Sequence, residues 1–133
     1  MLNRRKAPAI AVAAVALFSA SFTQAAQASS GWDDLGSHGV YYQSQYRTKT
    51  VNSGGGDFKA CITTTSSNAK HDFYNLYEED KEVHDPKLVT SVEGPGCWVF
   101  HNLDDYVDGD NDRAELYIGT EDDPEMIRVH YYD

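Results

Sequence analysis

The sequence predicts an all-β fold, a small antiparallel β-sandwich or barrel of about seven strands with one disulfide. Several short segments alternate apolar and polar residues with a period of two, as half-buried strands do. Clusters of Gly, Pro, Asp and Ser separate these segments. No stretch repeats apolar residues at a sustained spacing of three and four, so no long helix is expected.

Residues 1–28 have the three parts of a secretory signal peptide. A basic stretch, Asn3–Lys6, precedes the apolar run Ala9–Phe22, and Ala26–Ala28 follows as a small-x-small cleavage site. The apolar run is shorter than the roughly 20 residues that a membrane-spanning helix needs, so an N-terminal anchor is the weaker alternative. We expect cleavage after Ala28 and a single secreted, extracellular domain over residues 29–133, from a bacterial source because the apolar run is rich in Ala.

The first part of this domain is expected to be a loose lead-in followed by one strand. Residues 29–39 are small, polar and rich in turn formers, and Trp32 could dock them onto the body. From Val40 to Thr50 the period is two, which predicts a half-buried strand. Ser53–Gly56 then breaks the chain.

The rest of the chain predicts six further strands. The segment Phe73–Glu78 is apolar on both sides and is expected to be central, and Gly94–Gly96 is expected to be a turn. The predicted strands cover residues 58–63, 73–78, 88–92, 97–103, 114–118 and 126–131. An immunoglobulin domain is not indicated, because Trp98 adjoins Cys97 rather than lying on a strand between the two cysteines.

Cys61 and Cys97 are the only cysteines, and in an oxidising compartment the simplest prediction is that they form one disulfide. Closing such a loop stabilises a fold by about 3–4 kcal/mol in the chain-entropy model. A catalytic thiol is the alternative, but a nucleophilic cysteine would have to escape pairing with the other one.

The predicted mature chain is strongly acidic. Three basic residues lie in residues 1–28, so residues 29–133 carry eight Lys and Arg against 21 Asp and Glu, a formal charge of −13. This charge disfavours nucleic acid and membrane surfaces and would attract a basic extracellular protein. The alternative is that the charge serves only to keep a monomer soluble.

An acid-rich segment, 104–125, is centred on Asp108, Asp110 and Asp112. Alternate carboxylates on a turn can converge on Ca²⁺, so these three, with Asp104 or Asp105, are a candidate calcium site. An EF-hand is not indicated, since Arg113 and Gly119 replace the Gly and Glu that its loop requires. The alternative is a plain hairpin loop ending near Ala114. No cofactor other than this Ca²⁺ is expected.

No complete catalytic motif is present. Lys70–Asn75 resembles the His-Asp helix of secreted bacterial phospholipases, which would make His71 a base and Asp72 a calcium ligand. The chain departs from that family at Asn68, where the family has Cys, and in the strand pattern that follows. A small hydrolase that uses His71 or His101 with a carboxylate is therefore kept as a second alternative.

Surplus tyrosines indicate a recognition surface. In the doublets Tyr41–Tyr42 and Tyr131–Tyr132 neighbouring side chains point to opposite faces of a strand, so one of each pair is expected to face solvent. Exposed Tyr beside acids is typical of surfaces that recognise proteins or sugars. The leading hypothesis is a secreted, non-catalytic binding domain for a cationic protein surface, with an inhibitor, matrix or cell-surface role. A Ca²⁺-stabilised extracellular structural protein is the first alternative.

Overall fold

The structure is a computed structural model that describes residues 31–80, 86–121 and 125–133. These residues form ten strands in two antiparallel sheets, which confirms the predicted all-β sandwich. The predicted signal peptide and its cleavage point after Ala28 lie outside the described residues. So do His84, Asp85 and the acidic pair Asp122–Asp123.

The first sheet has four strands and is built around the C-terminal strand. Its spatial order is β1, β10, β5, β8. In chain order these strands are β1 (Asp34–Gly39), β5 (Phe58–Thr64), β8 (Gly96–Phe100) and β10 (Met126–Tyr132). The strand β8 therefore forms one edge of this sheet.

The second sheet has six strands in the order β2, β3, β9, β6, β7, with β4 also paired to β9. Its members are β2 (Tyr41–Tyr42), β3 (Tyr46–Arg47), β4 (Val51–Ser53), β6 (Phe73–Glu78), β7 (Lys87–Glu93) and β9 (Ala114–Thr120). Two short 3₁₀ helices, Ser67–His71 and Leu103–Tyr106, complete the described elements. Within residues 31–80, 86–121 and 125–133, no helix has the length and apolar character to cross a membrane.

The core lies between the two sheets and is filled by alternate side chains of their central strands. Phe58, Val129 and Tyr131 contribute from the first sheet, and Leu76 and Ile118 from the second. The ring centroids of Phe58 and Tyr131 stack 5.6 Å apart. This burial of large apolar side chains supplies the main stabilisation of the sandwich.

The predicted disulfide is confirmed. Cys61 of β5 and Cys97 of β8 are direct partners across the antiparallel pair and are bonded to each other. The disulfide therefore fastens the edge strand β8 to its neighbour, and it is the covalent tie between two segments 36 residues apart in the sequence.

The prediction of one continuous strand over residues 40–50 is wrong. Tyr41–Tyr42 and Tyr46–Arg47 pair with each other as a hairpin, and the amide of Gln43 donates to the carbonyl of Gln45. Ser44 adopts a φ of 62°, in the left-handed region, which reverses the chain. The alternation continued through this turn because both arms of the hairpin are strand-like.

The lead-in is partly a strand. Asp34–Gly39 pairs with β10, although its residues are poor strand formers, because the neighbouring strand supplies the hydrogen-bonding partners. Trp32 does contact the body: the ammonium of Lys59 on β5 lies 4.7 Å from the centroid of its ring. Such cation–π contacts are modestly stabilising.

Candidate functional site

A cleft opens where the edges of the two sheets face each other. The strand β7 ends the second sheet and β8 ends the first, and each pairs with only one strand among the described elements. Gly94 and Pro95 connect the two strands directly, so the chain crosses from one sheet to the other at one end of this cleft. We call it the edge cleft.

The edge cleft has a volume of about 460 Å³, and both apolar and polar side chains line it. This volume is within the usual range for ligand pockets, about 300–1,000 Å³. Six apolar residues line it: Val89 and Val92 of β7, Val99 and Phe100 of β8, and Leu103 and Tyr106 of the second 3₁₀ helix. Val99 is 42% exposed, which is a large fraction for an aliphatic side chain.

A β-bulge in β7 contributes to this lining. The register of β6 against β7 runs from Leu76–Thr90 directly to Tyr77–Leu88, so Val89 is the extra residue. Bulges at sheet edges redirect side chains, and this one accounts for two valines of a single strand, Val89 and Val92, lining the same cleft.

The rim of the edge cleft is polar. Thr90, His101, Asn102 and Asp105 also line it. The Nδ1 atom of His101 lies 2.8 Å from Oδ1 of Asp57, so an acidic side chain holds the imidazole in place. The ammonium of Lys87 makes a cation–π contact with Tyr106, at 4.9 Å from the centroid of its ring.

Gly94 fixes the connection between the two walls of the cleft. It adopts a φ of 86°, and a Cβ atom there would lie 2.9 Å from the carbonyl oxygen of Lys70. Its amide donates to the carbonyl of Asp72, and its carbonyl accepts from the indole nitrogen of Trp98. Only glycine fits a position with this dihedral and this close backbone approach.

A second concavity, of about 300 Å³, lies on the outer face of the second sheet. The guanidinium of Arg47 makes two hydrogen bonds to the carboxylate of Glu79 and lies 3.5 Å from the centroid of the Tyr117 ring. The ring of Tyr77 is stacked on the ring of Tyr117. The charged and aromatic side chains at this concavity therefore contact one another.

Three carboxylates meet at the end of β6. Oxygen atoms of Glu78, Asp108 and Glu115 all lie within 4.8 Å of one another. Glu78 is the last residue of β6, Glu115 is the second residue of β9, and Asp108 closes the intervening turn through its bridge to Arg113. We call this group the carboxylate cluster.

Glu78 is the buried member of the carboxylate cluster. It continues the core-facing alternation of Tyr74 and Leu76 and is only 5% exposed. Its Oε1 atom is buried and has no hydrogen-bond partner among the described residues. Burial, followed by repulsion from Asp108 and other neighbouring acids, raises the pKa of Glu78 to about 7.

The structure brings only one of the three predicted calcium ligands into a cluster. Asp108 joins Glu78 and Glu115, whereas Asp110 and Asp112 are exposed in the turn and belong to no group of three metal-ligating side chains among the described residues. Asp104 binds the amide of Gly56 through its carboxylate. The site at Asp108, Asp110 and Asp112 stays a prediction. Sequence reasoning missed Glu78 and Glu115, although the period of two in β6 already placed Glu78 on the core face.

The predicted recognition tyrosines have different environments. Both Tyr41 and Tyr42 are exposed, and Tyr42 packs edge-on against Tyr46 at 5.1 Å. Tyr132 is half-buried, with the ammonium of Lys59 4.2 Å from its ring centroid. Tyr131 is completely buried, so its assignment to a surface is corrected: it belongs to the core.

The two candidate catalytic histidines each contact a carboxylate. His71 Nδ1 lies 3.1 Å from Oε1 of Glu93, and His101 is paired with Asp57 as described above. Neither ring is hydrogen-bonded to a hydroxyl or thiol in the described part of the chain. His71 ends a short 3₁₀ helix and β6 begins at Phe73, so the long helix implied by the phospholipase resemblance is absent from this described segment.

Comparison with known proteins identifies the family. The chain is 33% identical over 129 residues to "Uncharacterized protein YndA" of Bacillus subtilis (strain 168), and the similar region covers 93% of this chain and 91% of that protein. No solved structure matches the chain. A family described as "YndA coiled coil domain" matches residues 34–131, which include all ten strands except the last residue of β10. The chain therefore belongs to the YndA coiled coil domain family.

Proposed function

We propose that this protein is exported and acts as a non-catalytic binding domain, which takes up an extended, cationic segment of another protein in the edge cleft. The observation that carries this proposal is the cleft itself. Its lining combines apolar side chains with polar ones, and it lies between two sheet edges, β7 and β8, that each have a strand partner on one side only among the described elements.

Unpaired strand edges bind extended peptides well. The free backbone groups of an edge strand can pair with an added strand, while pockets beside it select alternate side chains. In this protein the alternate side chains would meet Val92, Val99 and Tyr106, so apolar residues are favoured at every second position of the ligand. The disulfide between Cys61 and Cys97 keeps the β8 wall in place before binding.

The negative charge of the domain favours basic residues at the remaining positions of the ligand. Residues 29–133 carry a formal charge of −13, and Asp105 lies on the cleft rim itself. Opposite charge accelerates association and disfavours acidic competitors. A segment that alternates Lys with Val therefore matches both the apolar and the acidic side chains that line the edge cleft.

The test uses two synthetic hexapeptides, one alternating Lys and Val and one alternating Glu and Val. We expect the Lys peptide to bind and the Glu peptide not to bind. We also expect the affinity of the Lys peptide to fall at high salt, because the Debye length shrinks from about 10 Å at 0.1 M to about 3 Å at 1 M. Amide chemical-shift changes in the labelled protein would locate the binding to β7 and β8.

Two matched variants distinguish binding in the edge cleft from general attraction between opposite charges. Val99→Arg adds a cation inside the cleft, and Ile127→Arg adds the same cation at a site of nearly equal exposure, 43% against 42%, outside it. We expect Val99→Arg to weaken the Lys peptide at least tenfold and Ile127→Arg to change its affinity by less than threefold. Equal effects of the two changes, or shifts that map onto Tyr41 and Tyr42, would refute binding in the cleft.

A further inference from the structure

We propose that Glu78, Asp108 and Glu115 form a binding site for a hard divalent cation, with Ca²⁺ as the ion it takes. This site is separate from the edge cleft and goes beyond the proposed binding of a peptide. Its residues come from the end of β6, the turn closed by Asp108 and Arg113, and the start of β9.

The spacing of the three carboxylates suits a shared ion. Their oxygen atoms all lie within 4.8 Å of one another. Calcium binds oxygen ligands at about 2.3–2.6 Å, so two ligands on opposite sides of the ion are about 4.6–5.2 Å apart. One Ca²⁺ can therefore contact all three side chains without rearrangement of the strands that carry them.

An unpartnered oxygen points to a ligand at this position. Glu78 is only 5% exposed, and its buried Oε1 accepts no hydrogen bond from the residues that the structure describes. A buried carboxylate oxygen without a partner is rare in folded proteins, because it has lost its hydration and gained nothing in exchange. A bound cation would supply the missing partner and would also relieve the repulsion between three neighbouring carboxylates.

The chemistry of the ligands favours Ca²⁺ over softer metals. The cluster offers only carboxylate oxygens, whereas zinc sites use Cys and His. The side-chain amide of Asn111 donates to Oε1 of Glu115, so a neighbour orients one of the ligands. Asp108 is exposed, which leaves room for water molecules to complete a coordination of six to eight oxygens. Affinities of about 10⁻⁴–10⁻³ M, those of extracellular calcium modules, are expected.

The test is the thermal unfolding of the purified protein in EDTA, in 10 mM CaCl₂ and in 10 mM MgCl₂, at one ionic strength. We expect CaCl₂ to raise the melting temperature by about 6–20 °C over EDTA, and MgCl₂ to raise it by less than half as much. Titration calorimetry with CaCl₂ should give one site. An equal shift with both salts, or no heat on titration, would overturn the proposal.

Four substitutions locate the site. Glu78→Gln, Glu115→Gln and Asp108→Asn should abolish the calcium shift, and Asp110→Asn, in the same turn but outside the cluster, should retain it. Glu78→Gln should melt no lower than the parent in EDTA, since it removes a buried charge. Asp108 is exposed, so Asp108→Asn keeps the test decisive even if the buried substitutions impair folding. Loss of the shift in Asp110→Asn with its retention in Glu115→Gln would refute the cluster.

Discussion

At the scale of single residues, Tyr131 links the two sheets through a chain of hydrogen bonds inside the core. Its hydroxyl accepts the amide proton of Ile118, at 2.8 Å, and lies 2.7 Å from Oγ1 of Thr48. The Thr48 hydroxyl donates to the carbonyl of Lys49, so the proton of the Tyr131 hydroxyl is the one directed at Thr48. Burial raises the pKa of Tyr131, which keeps this donor protonated.

Tyr131→Phe is expected to destabilise the protein by about 1–3 kcal/mol. The change keeps the ring but removes the acceptor of the Ile118 amide and the donor to Thr48 Oγ1 in a buried environment, and unsatisfied buried groups cost about this much. For a domain of this size, 1 kcal/mol corresponds to about 4–8 °C in melting temperature. Thermal unfolding followed by circular dichroism measures the change.

Tyr42→Phe is the matched control for this loss of a hydroxyl. Tyr42 is 66% exposed, so water can replace any contact that its hydroxyl makes. Its free energy of unfolding should change by less than about 0.5 kcal/mol, as surface changes usually do. If the melting temperatures of Tyr131→Phe and Tyr42→Phe lie within a degree of each other, the buried hydrogen bonds of Tyr131 do not contribute to stability.

Residue environments were predictable only where the local pattern was sufficient. The alternation of Val129 and Tyr131 indicates a common face, and that face proved to be the core. Glu78 shows the limit. Its side chain follows the core-facing Tyr74 and Leu76, but a charged residue at the end of such a pattern is ordinarily expected to turn to water. Its meeting with Glu115 depends on the register of β6 against β9, which no local pattern records.

At the scale of elements, the strand β9 organises the second sheet. Every residue from Ala114 to Thr120 is buried, because β3, β4 and β6 pair with it and side chains such as Arg47 cover its outer face. Arg47 is itself fixed by Glu79 and by the carbonyl of Thr48. The polar side chains on the outer side of the sheet therefore bury the second face of β9, as the core buries the first.

The pairing of β5 with β8 depends on the disulfide as well as on backbone hydrogen bonds. Changing both Cys61 and Cys97 to Ala should lower the free energy of unfolding by about 3–4 kcal/mol, since the reduced chain regains the entropy of an open loop. Unfolding in urea, with and without reductant, measures this loss.

Two controls belong to the disulfide experiment. Reductant should destabilise the parent protein and leave the double alanine variant unchanged. The parent should also bind the Lys–Val peptide more weakly after reduction, because β8 is one wall of the edge cleft. An unfolding midpoint that reductant does not change, in protein whose thiols are shown to be alkylatable, would contradict a stabilising role for the bond.

Strand positions were predictable where residue type and period agreed. The predicted segments 58–63, 73–78, 88–92 and 114–118 all coincide with strands. The break at Ser44 was hidden, because the turn Gln43–Gln45 contains no Gly, Pro, Asn or Asp. A period of two would put Ile127 on the same core face as Val129, but a β-bulge between Met126 and Arg128 turns it outward. Bulges and tight turns of this kind are set by pairing partners distant in sequence.

At the scale of the whole molecule, the negative charge of the domain favours positively charged ligands at both proposed sites. The domain carries a formal charge of −13 over residues 29–133, which favours cations at both the carboxylate cluster and the rim of the edge cleft. They lie at different places: the cleft lies at the edges β7 and β8, and the cluster lies where β6 meets β9. Calcium bound at the carboxylate cluster would therefore stabilise the fold without competing directly with the peptide for the edge cleft.

The family name and the fold of this chain differ, and this difference can be measured. A coiled coil needs apolar residues at heptad positions a and d, sustained over several turns of helix. Residues 34–131 instead alternate with a period of two, and within that range the described residues contain strands and short 3₁₀ helices but no α-helix.

We expect a far-ultraviolet circular dichroism spectrum dominated by β-structure, and sedimentation as a monomer. The same spectrum at several protein concentrations controls for helices that form only on association. A spectrum dominated by helix, at any of these concentrations, would show that residues 34–131 fold as the family name states and would remove the basis of both proposed sites.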